Sequence, residues 1–325
     1  MNRRKLSTPI SCGTLIIILF LMPLFITGQY TFHILIMVGI NIVLACSLRL
    51  IATTGQFSLC HGGMTSVGAY TSALLVTKLG LSSWVALPLA GLMAMSIALI
   101  VAYPFTRLKG IYFAMVTVFL GEVISLTAEQ WRSLTGGVAG IIDIPHPNPV
   151  IIFGLLIADF SSKVDFYYFI LILVLVTLLI LYAIESSPIG MSFLSIKQEE
   201  YLAESVGINS TKFKVIAFST GAFFAGIAGA FYSHFVTAIT ADTFGFFLSI
   251  YVAIYMIVGG TSMFYGPILG AIVLTAVPEL ARGLKEFVPF VFAGVLMIII
   301  FFLPEGLVGL PRLLIKIRKD RYSNA

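Results

Sequence analysis

A chain of 325 residues that is 59% hydrophobic and only 10% charged, with a mean hydropathy of +1.06, has too few polar side chains to cover a water-soluble globule of its size. Lipid is the solvent such a composition suits. The net charge of +5 does not call for a nucleic acid, because chains that cross a bilayer gather Lys and Arg on one side of it.

Arg3, Arg4 and Lys5 precede the first apolar run, Ile10 to Gly28. No small-residue cleavage site follows in ITGQYT, so the run reads as a retained first helix and not a signal peptide. Five further runs are apolar throughout: Phe32 to Leu50, Trp84 to Tyr103, Ile111 to Glu129, Phe166 to Glu185 and Pro289 to Leu303. Each holds about 15 to 20 residues, near the ~20 that a helix needs to span hydrocarbon. Four others, Ser58 to Leu79, Phe213 to Val236, Phe246 to Gly260 and Pro267 to Leu280, are rich in small residues that let helices approach closely in lipid. The expectation is an all-α integral membrane bundle of about ten transmembrane or partly re-entrant helices. With the N-terminus inside, fourteen of the nineteen Lys and Arg fall on the inner side, which places both termini in the cytoplasm.

Polar positions along these runs are the candidates for function. Gln56, Ser58 and His61 lie among glycines in Thr53 to Thr71. Polar, irregular backbone at membrane depth is tolerated only where it is buried or faces a cavity, so this stretch is a candidate pathway wall. A close-packed helix with incidental hydroxyls is an equal reading. Glu122 lies twelve residues into its run, where a charge must face protein or water. It either ties helices together or lines the solute path. In the outer segment, residues 130–165, Thr135, Gly136 and Gly137 open TGGVAG and Pro145, Pro147 and Pro149 forbid a continued helix. The first three read as a pliable gate, a docking surface or an ordinary loop. Val150 to Ile157 is too short to span and is expected at the interface or re-entrant.

The longest polar interruption runs from Glu185 to Lys214. A short surface helix is expected over Lys197 to Val206, with Glu200 and Glu204 on one face and Leu202 and Val206 on another. Gly207 suits the left-handed residue that closes a helix. Asn209, Ser210 or Thr211 would cap the helix that follows. Such a rod fits a groove on a soluble partner, or rests on lipid headgroups. The tail, residues 311–325, carries Arg312, Lys316, Arg318, Lys319 and Arg321, which attract anionic lipid.

No G-x-x-x-x-G-K-[ST] phosphate loop occurs, the four histidines are scattered, and Cys12, Cys46 and Cys60 form no close pair. Neither an enzyme nor a cofactor site is indicated. Secondary transport through Glu122, a passive channel and a non-transporting scaffold remain as rival readings of the residues themselves.

The segment SPIGMSFLSIKQEEYLAESVGINSTKFKVIAF closely resembles the cytoplasmic coupling loop of ATP-binding-cassette permeases for branched-chain amino acids, the M-type subunit in particular. TTGQFSLCHGGMTSVGAYTSALL, RLKGIYFAMVTVFLGEV, LTGGVAGI, FSTGAFFAGIAGAFYS, IVGGTSMFYGPILGA and LPEGLVGL extend the resemblance from about Ile40 to Leu310. It implies one permease domain, residues 1–310, whose coupling loop is 186–212, followed by the basic tail. It also implies a second homologous permease, two ATPase subunits that consume the ATP, and an extracytoplasmic solute-binding protein, all at a bacterial inner membrane. Glu200, Ala203, Glu204 and Gly207 would then fall in the ATPase-contacting motif, with Leu202 and Ser205 standing where the family carries alanines. Permeases for urea and short-chain amides look much the same.

Overall fold

A computed structural model describes residues 17–25, 28–152, 155–303 and 305–310. The basic residues ahead of the first run, Cys12 and the 311–325 tail lie outside the described residues. Helix α1 covers 17–25. It is followed by α2 (Gln29–Ala52), α3 (His61–Thr77), α4 (Ser83–Phe105), α5 (Ile111–Gln130), the single turn α6 (Arg132–Thr135), α7 (Lys163–Glu185), α8 (Pro188–Gln198), α9 (Glu200–Ser205), α10 (Ser210–Val236), α11 (Phe246–Gly259), α12 (Gly266–Leu280) and α13 (Val288–Phe302).

Each of the ten apolar runs thus carries a helix. Among the described residues, α2, α4, α5, α7, α10 and the segment Ala241–Gly259, which ends in α11, are long and apolar enough to cross a membrane. The others are short: α3 has 17 residues and α12 and α13 have 15 each. At ~1.5 Å per residue these reach roughly 22 to 26 Å, less than the ~30 Å of hydrocarbon.

Helices α2 and α10 form the centre. The apolar window of α2 is 78% buried and that of α10 67%, against 22% for α5. Helix α10 packs on α3, α4 and α2, and α2 also meets α7, α11 and α12. Small residues set these distances, because in lipid the association of helices rests on close packing and not on escape from water. At one end of the bundle, aromatic rings from α4, α7 and α10 interlock. Trp84 and Phe169 lie 4.9 Å apart between centroids, and Phe169 and Phe231 5.0 Å, within the range of favourable edge and tilted contacts.

One segment gains detail and one expectation is corrected. Val150 to Ile157, expected at the interface or re-entrant, takes strand form. Strands β1 (Val150–Ile152) and β2 (Leu155–Ala158) pair antiparallel as a hairpin, which satisfies the backbone of a β-branched stretch that prolines have cut off from any helix. The surface helix is not continuous from Lys197 to Val206. It starts earlier, with Ser187 capping α8 by accepting from Ile189 N and Pro188 at its first position. It then breaks at Glu199, whose backbone is extended at φ −159° and ψ 105°.

Candidate functional site

The break at Glu199 decides where the α9 side chains go. Ala203 is buried, whereas Tyr201 (71% exposed), Leu202 (67%) and Val206 (76%) stand outward. Glu200 turns inward. Its carboxylate accepts from Lys214 Nζ at 2.6 Å and pairs with Lys109 Nζ at 3.2 Å. Burial pushes the Glu200 carboxyl up, but the hydrogen bonds and charge of Lys214 and Lys109 outweigh this and hold it below the usual carboxylate range. Lys109 is itself raised by its hydrogen bond to Glu200. One carboxylate therefore joins α9 to the α4–α5 connection and to the N-terminal end of α10.

Gly207 closes α9 at φ +89°. The N–H of Ile208 donates to Ala203 O at 3.0 Å and that of Gly207 to Glu204 O at 3.0 Å, the paired closure that a left-handed residue permits. Asn209 is the cap of α10, accepting from Lys212 N at 2.9 Å. Ser210 Oγ donates to the Glu204 carboxylate. The turn between α9 and α10 is tied on both sides.

Helix α8 reaches into the bundle. Phe193 and Ile196 are buried, and the Phe193 ring meets Phe213 of α10 edge-on at 6.2 Å. Gly55, at φ +82°, lies against the α8 backbone, so that a Cβ there would stand 3.4 Å from Lys197 Cα. The α8 terminus thus rests on the stretch that leads to Gln56, Ser58 and His61.

That stretch is not helical between α2 and α3. Its backbone is satisfied by side chains: Leu59 N donates to Thr117 Oγ1 at 3.0 Å, and Cys60 N to Ser58 Oγ at 3.4 Å. Gln56, Ser58 and His61 are each at least 95% buried. Gln56 Nε2 donates to Thr106 O at 3.3 Å, while its Oε1 finds no partner among the described residues. Ser47 gives its hydrogen to Leu44 O at 2.9 Å, so His61 Nε2, 3.1 Å away, is the donor between the two. His61 Nδ1 is left without a partner among the described residues. Gln56 Oε1 and His61 Nδ1 are thus buried polar atoms on and beside a non-helical backbone inside the bundle.

Glu122 has no hydrogen bond to any of these three among the described residues. It is half-buried on α5, next to Gly121, which meets both that stretch and α3: a Cβ on Gly121 would stand 3.6 Å from Cys60 Cα, and one on Gly63 2.9 Å from Gly121 Cα. Thr135, Gly136 and Gly137 form a tight turn. Thr135 Oγ1 donates to Ala128 O at 2.5 Å and receives Gly137 N at 3.3 Å. The turn leads into a bridge between Ile141 and Ile239 and is pinned there, His234 and Pro145 being joined at 2.8 Å.

Arg49 escaped the reading of the sequence, where it counted only as an inner-side charge. It is 6% exposed and paired with Glu185. The available signal was a charge one residue from the end of an apolar run, set against a second run that ends in a carboxylate.

These features are those of an integral membrane protein: an apolar bundle with a polar, non-helical stretch inside it and one built surface element on it. The chain belongs to the family described as branched-chain amino acid transport system, permease component, which matches residues 30–303. It is 30% identical over 306 residues to the high-affinity branched-chain amino acid transport system permease protein LivM of Escherichia coli K12, covering 88% of this chain and 70% of that protein. The protein of the same name in Salmonella typhimurium LT2 is 29% identical over 309 residues, covering 89% and 70%. No solved structure matches. The family is one of transport components and not of enzymes.

Proposed function

We propose that this chain is the membrane subunit of a bacterial inner-membrane importer driven by separate ATP-binding-cassette subunits, and that its cargo is branched-chain or related amino acids. The observation that carries the reading is the make of α8 and α9. The element is bolted inward through Ile196, Ala203 and the Glu200 cluster, yet it presents Tyr201, Leu202 and Val206 outward. A loop resting in water would not expose three large apolar side chains on six residues, and a rod that transmits force needs both an outward grip and an inward anchor.

In this reading all ten helical runs cross or enter the membrane with both termini in the cytoplasm. The α8–α9 element then lies on the cytoplasmic face with the ATPase, and the Thr135 turn on the outer face. Because that turn is pinned, docking of the solute-binding protein suits it better than gating. Nucleotide binding by the ATPase shifts α8 and α9, and the Gly55 contact passes the shift to the Gln56, Ser58 and His61 wall. Glu122 and the wall face the path in one of the two states, the second permease closing the other side.

The test is uptake of radiolabelled leucine into proteoliposomes that hold this chain, a partner permease and two ATPase subunits, with binding protein added. ATP-dependent uptake competed by isoleucine and valine supports the reading. Competition by urea or acetamide instead would move the cargo to amides, and uptake under an ion gradient without ATPase would move the mechanism to Glu122.

A further inference from the structure

We infer that Arg49 is a positioning residue for energy coupling, the joint through which a shift of the α8–α9 element reaches the turn between α11 and α12. The inference rests on the coupling role proposed above.

Arg49 sits in the last turn of α2 and is almost wholly buried. Its guanidinium holds two partners at once. Nη1 donates to Glu185 Oε1, and Nε donates to the carbonyl of Thr261 at 3.3 Å. The guanidinium also lies over the Phe264 ring, 5.6 Å from its centroid, and Tyr182 of α7 meets the same ring edge-on at 5.4 Å. Glu185 is the last residue of α7, separated from α8 by two residues. Gly190 of α8 is so close to it that a Cβ there would stand 2.1 Å from Glu185 O. The first turn of α8 and the end of α7 therefore move together, and the polar link from Glu185 to Thr261 runs through the planar guanidinium.

A buried ion pair adds little net stability over an apolar contact of the same shape, so its presence at the meeting of three elements is better explained by geometry than by energy. Arginine is suited to this and lysine is not. A lysine ammonium keeps the charge beside Glu185 but cannot reach Glu185 and Thr261 O from one rigid plane.

The experiment uses the reconstituted complex, with Arg49→Lys and Glu185→Asp as variants that keep both charges, and reads leucine transported per ATP hydrolysed. Both variants are expected to assemble and to hydrolyse ATP as the unaltered complex does, with the transport ratio lowered about fivefold or more. An unchanged ratio in Arg49→Lys overturns the inference. Failure of both variants to assemble also overturns it, by assigning the pair to folding alone. If the unaltered complex itself shows no ATP-dependent uptake, the coupling role of α8 and α9 is what has failed.

Discussion

Gly68 of α3 lies backbone to backbone against Gly226 of α10: a Cβ on Gly68 would stand 2.0 Å from the Gly226 carbonyl oxygen. The obstacle is main chain and cannot rotate away, so Gly68→Ala must push the two helices apart. The expected cost is about 3 kcal/mol, at the upper end of overpacking. Gly294→Ala is the control. Nothing lies within 4 Å of its Cβ position, and inside a helix the change is expected to gain about 0.5 kcal/mol. Unfolding midpoints in detergent check both.

Gly207 presents the opposite case. No atom lies within 4 Å of a Cβ built there, but its φ is +89°. Gly207→Val is expected to add about 2 kcal/mol of backbone strain with no steric clash, opening the closure of α9. Membrane insertion is expected to stay normal while ATP-dependent uptake is lost. Uptake at the unaltered rate would remove α9 from the coupling path.

Leu202 and Val206 touch little of their own chain. Leu202→Ser with Val206→Ser is therefore expected to change stability by less than about 0.5 kcal/mol. Co-purification of the ATPase subunits, measured in detergent, is expected to fall by tenfold or more, about 1.4 kcal/mol or greater. Retention at full stoichiometry would mean that lipid covers this face.

The Glu200 cluster sets a pH window. The carboxyl of Glu200 is lowered in the folded state, so its contribution is present above the unfolded value of about 4.3 and is lost as pH falls through the lower folded value. Lys109 is raised, so its share holds below about 10.4 and fades only as pH rises beyond that. Protection factors of the α9 amides, which remove the intrinsic pH dependence of exchange, are expected to be flat from mildly acid to mildly alkaline pH and to fall near pH 4 and below. In Glu200→Gln the acid step disappears, and the loop is looser at neutral pH by about 1 to 2 kcal/mol, because Lys214 is left buried without its counter-charge.

Glu122 separates mechanisms. Glu122→Gln is expected to lower leucine flux while ATP hydrolysis continues. Gradient-driven flux that vanishes with the same substitution would show an ion site.

Much of this protein was legible in one dimension. The apolar runs located every helix that sits in them, because hydrocarbon demands a continuous apolar stretch with its backbone bonds closed within it. Gly207 and a cap within Asn209 to Thr211 were legible for a similar reason, since local chemistry alone selects left-handed and capping residues, and the structure chose Asn209. The kink at Glu199 was not, because an extended residue within a helix-forming sequence is bought by the Lys109 and Lys214 contacts that Glu200 gains from it. Arg49 and Glu185 are 136 positions apart, and neither run carries a mark of the other. A helix that is apolar on all sides has no polar face to show which way it turns. The sequence by itself determined which segments leave water and where they stop, and only the tertiary structure, through close-packed glycines and a few buried polar pairs, decided which faces meet.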